Sequence, residues 1–287
     1  MTVILRLLFC LLCSYSLFAN NAKPFVMGSL TGQLGNQLFI IAATTSLALD
    51  HGAHPIFPDF VRRDENNLFQ NYQTLFSHLD PSFPSKGRIA YYYAEPHYSY
   101  TPIPYRPNIC LVGYFQSEKY FRHHKKEILE LFKPPQKILD YLYGKYGELL
   151  KHPLTVSVHM RFYADNGPEG ELFTKINRTY FEKSIALFPE GTLFLVFSNQ
   201  MDRCKKELAG IERNFYYIEG ESYYHDFYLM SLCKHNIICN SSFSWWAAYL
   251  NPNPEKKVIA PYPWFSLTSG FNFKDVIPDE WTVISNE

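Results

Sequence analysis

The sequence has little charge and no excess of either sign. Only 19% of the 287 residues are Asp, Glu, Lys or Arg, and the formal net charge is +0. A hydrophobic content of 47% with so few charges excludes a disordered chain. Without a positive surplus no overall field attracts nucleic acid, so no nucleic-acid partner is expected and any anion site must be local.

Metal-binding patterns are also missing. The six cysteines are scattered, and the one close pair, Cys10 and Cys13, lies in an apolar segment without further ligands, so no zinc site is predicted. The other four cysteines could be free thiols, or two disulfides if the domain is exported. No Asp-x-Asp pair ends a predicted strand, and therefore no metal that bridges two phosphates is expected.

The long apolar run of the sequence lies at its N-terminus. Residues 3–18 are apolar apart from Arg6 and a few small or hydroxyl residues, and they fall short of the roughly 20 residues of a spanning helix. The run predicts a signal peptide or a short membrane anchor over residues 1–24, with a buried N-terminal helix as the alternative. The expected location is therefore the membrane or the secretory pathway.

Strand and helix patterns alternate along the rest of the chain. Residues 25–28 predict a strand, which a glycine-bearing turn and an apolar helix ending at Gly52 follow. Residues 60–110 show no sustained period and are expected to be loops, and a helix is expected over residues 118–132. Five later apolar runs predict strands between helices: 154–160, 192–198, 215–218, 236–240 and 258–260. This alternation predicts an α/β fold with parallel strands, an N-terminal lobe over 25–150 and a C-terminal lobe over 151–287.

The strand that leads to Arg161 ends in charged residues. By strand parity His159 and Arg161 share one face at the carboxyl end, where parallel sheets bind ligands. The planar guanidinium suits phosphate oxygens, and the imidazole adds a donor. Asp165 follows in the adjoining loop, and an ion pair between Arg161 and Asp165 is the alternative interpretation.

Two further strand ends carry hydroxyl and amide groups. Ser198 and Asn199 end one strand, and Asn240, Ser241 and Ser242 follow another, directly before a helix with two adjacent tryptophans. Free N–H groups and the helix dipole at such a turn make an anion site, although an ordinary helix N-cap by one of the serines is the alternative.

These segments resemble glycosyltransferase family 11, the α-1,2-fucosyltransferases that use GDP-fucose. The similarity covers nearly all of the chain after Pro24. It rests on five segments: GQLGNQLF at 32–39, GYFQSEKY at 113–120, VHMR at 158–161, FS at 197–198 and DFYLMSLCKHNIICNSSFSWW at 226–246.

The resemblance implies a GT-B-like fold, with two Rossmann-like lobes, parallel sheets and a cleft between them. It implies inverting, metal-independent transfer of L-fucose from GDP-fucose to the 2-hydroxyl of a β-galactoside in a surface or glycoprotein glycan. The expected partners are the GDP-sugar and a galactose-containing acceptor, without a further cofactor. Residues 3–18 would allow membrane association, and a bacterial enzyme would act at the cytoplasmic face.

Residue by residue, the resemblance places Arg161 at the β-phosphate and adds His159, Asp165 and Asn36 to the catalytic group. An inverting transfer needs a base, and the candidates are Asp165 and His159, with Glu169 and Glu171 nearby. The predicted donor-binding residues are Gly32, Gly35, Gln37, Ser198, Asn199, Asn240, Ser241, Ser242, Phe243 and Ser244.

Two positions depart from the family pattern. The family has His-x-Arg-Arg-x-Asp, whereas Phe162 stands at the second arginine here, and Asn199 stands where an Asp follows Phe-Ser. These changes leave two alternatives open: another GDP-sugar donor, or a protein that binds sugars or nucleotides without catalysis. Asp226 opens a predicted helix and is expected to cap its N-terminus.

Overall fold

The computed structural model describes residues 23–83, 88–163 and 171–286 and contains two parallel β-sheets. The N-terminal sheet has the strand order β2-β1-β4-β3, and every neighbouring pair is parallel. Its strands are β1 (Phe25–Gly28), β2 (His54–Ile56), β3 (Tyr91–Ala94) and β4 (Ile109–Val112).

Helix α1 (Leu34–Asp50) connects β1 to β2. Its sequence is apolar nearly all round, and 13 of its 17 residues are buried, as expected for a helix covered on several sides. Gly52 has a φ of +60°, a left-handed conformation that glycine adopts without strain, and this ends the helix as the sequence predicts.

The C-terminal sheet has the strand order β10-β9-β8-β5-β6-β7. Its strands are β5 (Thr155–Met160), β6 (Leu193–Ser198), β7 (Asn214–Tyr217), β8 (His235–Ile237), β9 (Val258–Tyr262) and β10 (Thr282–Ser285). All residues of β5 are buried, which explains its nearly continuous apolar sequence. The chain proceeds from β5 to β6 and β7 on one side and returns to β8 on the other. The crevice between the carboxyl ends of β5 and β8 is therefore the place where such sheets bind ligands.

The other helices lie along these sheets and in the connections between them. They are α2 (Leu68–Asn71), α3 (Lys125–Leu131), α4 (Gln136–Leu150), α5 (Arg178–Ala186), α6 (Met201–Leu208), α7 (Tyr223–Leu232) and α8 (Ser242–Leu250).

One hydrophobic core joins the two sheets. The ring of Phe39 on α1 lies 4.5 Å from that of Trp245 and 5.1 Å from that of Trp246, both on α8. Gly35 allows this approach, because a Cβ there would lie 2.4 Å from the Ser242 carbonyl carbon. The paired tryptophans therefore form the contact between the two halves of the molecule.

Two sequence predictions of local structure were wrong. Residues 60–110 contain β3 and β4 rather than loops alone; Tyr92 is exposed while Tyr93 is buried, the alternation of a half-buried strand. The helix expected over 118–132 is shorter, with two 3₁₀ turns before α3. The division into lobes at residues 150 and 151, which falls between α4 and β5, stays a prediction.

The helices contradict the predicted membrane or secretory location. Within residues 23–83, 88–163 and 171–286, no helix is both long and apolar enough to cross a bilayer. The predicted signal or anchor at residues 3–18 lies outside the described residues. The localisation expected from that segment is therefore withdrawn, and with it the inferred cytoplasmic-face site of catalysis.

Candidate functional site

A cavity of about 730 Å³ opens between the N-termini of α1 and α8 and the carboxyl ends of β5 and β6. This volume lies in the range of about 300–1,000 Å³ that small-molecule and cofactor sites occupy. Nine of the residues predicted from the sequence line it: Gly35, Asn36, His159, Arg161, Ser198, Asn199, Ser241, Ser242 and Phe243.

Four predicted donor-binding residues of the described chain do not line this cavity. Gln37 is fully buried, donates to the carbonyls of Gly32 and Asn66, and accepts from Asn71. Asn240 is also fully buried and donates to the carbonyls of Thr174 and Trp264. Ser244 is buried on α8, and Gly32 forms a left-handed turn with a φ of +70°. These residues hold the turns that carry the cavity-lining groups.

None of the three carboxylates considered as the base is among the described residues that line the cavity. Asp165 and Glu169 lie outside the described residues. Glu171 is exposed and does not line the described part of the cavity.

Arg161 follows β5 directly and is exposed to the cavity. Its guanidinium carbon lies 5.6 Å from the centre of the Tyr163 ring. Among the residues that the structure describes, no carboxylate lies within ion-pair distance of it. A cation held on an aromatic face in this way can bind an anionic ligand.

His159 lies beside Arg161 but is deeply buried, with 7% of its surface exposed. Its Nδ1 lies 3.2 Å from the Cys239 sulfur. Burial, and then the positive charge of Arg161, lowers the pKa of His159 to about 3. The imidazole is therefore neutral at physiological pH and a very weak base, which suits a hydrogen-bond donor better than a proton acceptor.

Three helix N-termini face the same cavity. The N-cap residues of α1, α7 and α8 are Gln33, Ser222 and Ser241, and in the described structure none makes a side-chain capping bond. The first two backbone N–H groups of each helix therefore stay available for an anion, which the helix dipoles also attract. The alternative of an ordinary N-cap at Ser241 is not supported by this geometry.

A hydrogen-bonded group of three residues joins the two halves at the cavity wall. The Asn36 side-chain oxygen accepts from Gln116 Nε2 at 2.9 Å and from Ser242 Oγ at 2.8 Å. Because Asn36 lies in the first turn of α1 and Ser242 begins α8, this group fixes the two helix N-termini relative to each other. Gln116 was not predicted as a site residue.

The two departures from the family pattern touch each other. The Asn199 side chain accepts from the Phe162 backbone N–H at 3.0 Å and donates to the Phe162 carbonyl at 3.0 Å. An aspartate at residue 199 could make only the first of these bonds. Arg203 places its guanidinium carbon 4.3 Å from the centre of the Phe162 ring. A cation is thus present near the position where the family has its second arginine.

Asp226 lines the cavity, and the sequence did not predict this. Its expected role as an N-cap is wrong, because α7 begins at Tyr223 with Ser222 as the N-cap residue. One carboxylate oxygen is buried and has no hydrogen-bond partner among the described residues. Burial, and then the charge of Glu221, raises the pKa of Asp226 to about 7. A single carboxylate within the apolar run of residues 223–230 is the signal that could have identified it.

Aromatic rings form another wall of the cavity. The ring of Tyr98 lies 6.0 Å from that of Tyr114 and 4.7 Å from that of Phe265. Phe173 lies 5.2 Å from Phe265, and Trp264 also lines the cavity. Such rings can pack against the C–H faces of sugars.

The fold is similar to that of solved fucosyltransferases. The structure of NodZ from Bradyrhizobium covers 79% of this chain and 92% of its own, with a TM-score of 0.51 and 14% identity. The match to a mutant of Arabidopsis thaliana FUT1, solved in complex with GDP, covers 85% of this chain and 71% of the FUT1 chain, with a TM-score of 0.51 and 12% identity. At these identities the similarity shows the fold alone, and it confirms the predicted GT-B-like α/β architecture.

Two of the curated relatives come from Escherichia coli. An α-1,2-colitosyltransferase is 34% identical over 62% of this chain, and the O-antigen biosynthesis glycosyltransferase WbnK is 30% identical over 60%. The rabbit (Oryctolagus cuniculus) galactoside α-(1,2)-fucosyltransferase 2 is 26% identical over 76%. The matched regions span 63%, 59% and 65% of these relatives, respectively.

The model of glycosyl transferase family 11 matches residues 90–285. This range includes β4, the complete C-terminal sheet, and Arg161, Asp226 and Ser242 of the cavity. The chain therefore belongs to glycosyltransferase family 11.

Proposed function

We propose that the protein transfers L-fucose from GDP-fucose to the 2-hydroxyl of a β-galactoside, with inversion at the anomeric carbon and without a metal. The observation that carries this proposal is the convergence of Arg161 and three helix N-termini on one cavity. Membership of family 11 supports the reaction class, and the named fucosyl- and colitosyltransferase relatives support the linkage.

The strand order suggests where GDP lies. The diphosphate fits the crevice between β5 and β8, where Arg161 and the N-terminus of α8 meet. From β8 to β7 the sheet extends over three strand spacings, or about 14 Å. That distance is comparable to the length of an extended nucleoside diphosphate. The nucleoside then lies over Ser198 and Asn199 and reaches the N-terminus of α7.

Asp226 fits the guanine base. The Watson–Crick edge of guanine carries two adjacent donors, the N1–H and the N2 amino group, which match the two oxygens of a carboxylate. Asp226 lines the cavity, so its carboxylate would gain donors from guanine, and the cost of burying this group would be partly offset when guanine binds. Uracil and cytosine do not offer this pair of donors, so the site favours guanine over them.

The proposed reaction is a single displacement at the anomeric carbon. The acceptor hydroxyl oxygen forms the new bond to that carbon, the bond to the β-phosphate oxygen breaks, and the hydroxyl proton passes to a base. The departing GDP gains negative charge, which Arg161 and the N–H groups of α8 stabilise. His159 is too weakly basic to take the proton and instead donates to the donor sugar or phosphate. Asp165 remains the proposed base, with Glu169 and Glu171 as the alternatives.

The acceptor would enter along the aromatic wall. A galactose ring presents C–H groups on one face, which can pack against Tyr98 or Tyr114. The group formed by Asn36, Gln116 and Ser242 lies where the two halves meet and would position the reacting hydroxyl. The predicted roles of Gly35 and Asn36 near the reacting groups are part of this proposal.

Metal independence is proposed on the basis of how the acidic groups are used. Glu221 lines the cavity near Asp226, but its carboxylate is bound by Lys145 and by the Tyr146 hydroxyl at 2.7 Å. Lys145 neutralises the Glu221 carboxylate, which is therefore not free to bind a metal cation. Arg161 supplies the positive charge for the diphosphate instead of a metal.

A different 6-deoxy GDP-sugar is the second candidate donor. Phe162 and Asn199 change the strand ends on which the donor would lie, and one relative is an α-1,2-colitosyltransferase. Colitose is fucose without its 3-hydroxyl. A donor pocket that lacks a partner for this hydroxyl would favour colitose over fucose.

The test is GDP release by the full chain in the presence of a chelator. We expect release from GDP-fucose that depends on a β-galactoside such as lactose. Exchange Arg161→Ala should lower the rate about 100-fold or more, because a charge-stabilising donor of the transition state is lost. Arg106→Ala is the matched control, since Arg106 also lies on a tyrosine ring, at 4.7 Å, but outside the cavity.

Four outcomes would change the proposal. Release from GDP-colitose but not from GDP-fucose would establish the 6-deoxy alternative, and release from GDP-mannose alone would establish a GDP-sugar donor that is not 6-deoxy. GDP binding without release from any of these would favour a protein that only binds. A rate for Arg161→Ala close to that of the wild type would contradict the phosphate role of Arg161.

A further inference from the structure

Three side chains that commonly bind metals converge at the end of α1 opposite the cavity. Asp50 is the last residue of α1, and His123 and His124 lie in the 3₁₀ turn before α3. Because α1 has 17 residues and rises about 1.5 Å per residue, its two ends lie about 25 Å apart. This cluster is therefore separate from the candidate active site.

The ligand atoms are already close together. His123 Nε2 lies 3.1 Å from each Asp50 carboxylate oxygen, and His124 Nε2 lies 2.9 Å from Oδ1. One ligand atom from each residue lies within 4.8 Å of the others. In a tetrahedral zinc site with bonds of about 2.0–2.1 Å, ligand atoms are about 3.3 Å apart. Small side-chain movements would thus admit an ion.

The exposure of the cluster also suits an ion. The side chains of Asp50, His123 and His124 are 37%, 48% and 24% exposed, so an ion can reach them and a water can complete the coordination.

We propose that Asp50, His123 and His124 bind one divalent transition-metal ion, best fitted by Zn²⁺. Two imidazole nitrogens and one carboxylate oxygen form a donor set typical of zinc, with water in the fourth position. The ion would fasten the C-terminus of α1 to the segment before α3. It would stabilise the fold rather than take part in the sugar transfer.

The neighbouring His51 provides a matched control. Its ring stacks on Tyr105 at a centroid distance of 3.7 Å and an interplanar angle of 4°, and it is not part of the cluster. Exchange His51→Ala removes an adjacent histidine without removing a ligand. The four cysteines of the described residues are free but buried, which limits thiol binding of zinc in the folded protein.

The test is calorimetric titration of Zn²⁺ into the full chain, freed of metal and of any histidine tag. We expect one ion per chain, a rise in Tm with zinc, and a Kd that rises at least about tenfold in His124→Ala and in Asp50→Asn. His51→Ala should bind as the wild type does. Co²⁺ bound to the wild type should give the visible spectrum of a tetrahedral site, a result that does not require any variant to fold.

Two results would overturn the inference. One is the absence of zinc binding below millimolar concentration together with no tetrahedral Co²⁺ spectrum. The other is equal zinc affinity in the wild type, His124→Ala and Asp50→Asn. Because both measurements detect the ion and not the transfer reaction, they stand apart from the proposed activity.

Discussion

At the scale of single residues, Cys239 is placed to determine which ring nitrogen of His159 carries the hydrogen. Burial raises the pKa of its thiol to about 11, so the sulfur keeps its proton and can donate to His159 Nδ1, 3.2 Å away. With the thiol as the donor, the neutral imidazole carries its own hydrogen on Nε2, which has no hydrogen-bond partner among the described residues. We expect Cys239 to provide a donor in the cavity in this way, through His159.

The exchange Cys239→Ala should remove the hydrogen bond to His159 Nδ1 that favours one imidazole tautomer. We expect a mixture of imidazole tautomers and a KM for the donor raised about threefold to tenfold, the effect of one lost hydrogen bond, with a smaller change in kcat. Nitrogen-15 NMR of the His159 side chain and donor kinetics measure the two effects. Cys239→Ser keeps a donor and should resemble the wild type. An unchanged tautomer in Cys239→Ala would refute the role of the thiol.

Asp226 should make GDP binding depend on pH. Its raised pKa of about 7 means that the free protein holds a proton there below neutrality, whereas the bonds to guanine require the carboxylate. The affinity for GDP should therefore fall as the pH decreases below about 7. Exchange Asp226→Asn should weaken binding about tenfold or more at pH 8 and remove this part of the pH dependence.

The stability of the free protein provides a control for Asp226. Because the pKa of this carboxyl group is raised on folding, the unfolded chain releases the proton at a lower pH than the folded protein. The free energy of unfolding therefore decreases as the pH rises from about 4 to about 7. Asp226→Asn should therefore gain stability relative to the wild type over this interval. GDP itself titrates near pH 6, so affinities are compared between the two proteins with the same ligand. Parallel pH profiles would contradict the guanine contact.

Residue patterns predicted one part of the site and missed another for a physical reason. Strand parity was sufficient for His159 and Arg161, because alternate residues of a strand share a face. On helices the direction changes by about 100° per residue, so Gln37 and Ser244 point away from the cavity although their neighbours line it. Asp226 and the metal cluster depend on distant parts of the chain: Asp50 and His123 are 73 positions apart.

At the scale of elements, the contact between α1 and α8 depends on Gly35. A Cβ at this residue would lie 2.4 Å from the Ser242 carbonyl carbon and 2.5 Å from the Phe243 nitrogen. Both are backbone atoms at the N-terminus of a helix, and they cannot move without moving α8. The same helix start carries Ser242, which holds Asn36, and lies in the proposed phosphate site.

Exchange Gly35→Ala should therefore separate the two helices and cost about 1–3 kcal/mol of stability, as expected for overpacking. Because α8 would move, we also expect weaker GDP binding. Denaturant unfolding and GDP titration measure the two effects. Gly144→Ala is the matched control: Gly144 lies in α4, a Cβ there meets no atom of the described structure within 4 Å, and the change should stabilise by about 0.5–1 kcal/mol. Equal stability of the two variants would show that α8 accommodates the added methyl group.

Strands and helices with a clear apolar pattern were predicted from the sequence, and those without one were missed. The C-terminal strands and helices were largely predicted, because buried parallel strands are continuous apolar runs between turn residues. Strand β3 was missed because it is short and lies at the edge of the sheet, with large tyrosines on both faces. Strand β10 was missed too, because three of its four residues are exposed and the fourth is only half-buried, so the strand shows no apolar period.

At the scale of the whole molecule, the two sheets share a core. A large two-lobed protein often unfolds in separate steps. Here Phe39, on the helix that covers the N-terminal sheet, packs against Trp245 and Trp246, and the same core continues to Phe121 and Phe132 of the N-terminal half. Neither half can be exposed without opening the contact around the tryptophans. The halves should therefore unfold together.

Exchange Phe39→Ala tests this coupling. Loss of the ring should cost about 3–5 kcal/mol, and it should destabilise both sheets by the same amount. Tryptophan fluorescence reports on the C-terminal half and on its contact with α1, since all four tryptophans lie at residues 245, 246, 264 and 281. Hydrogen exchange of the β1 amides reports on the other half. If β1 opened at a lower free energy than the tryptophan transition in the wild type, the sheets would be independent, and the contact between α1 and α8 would be a hinge rather than a shared core.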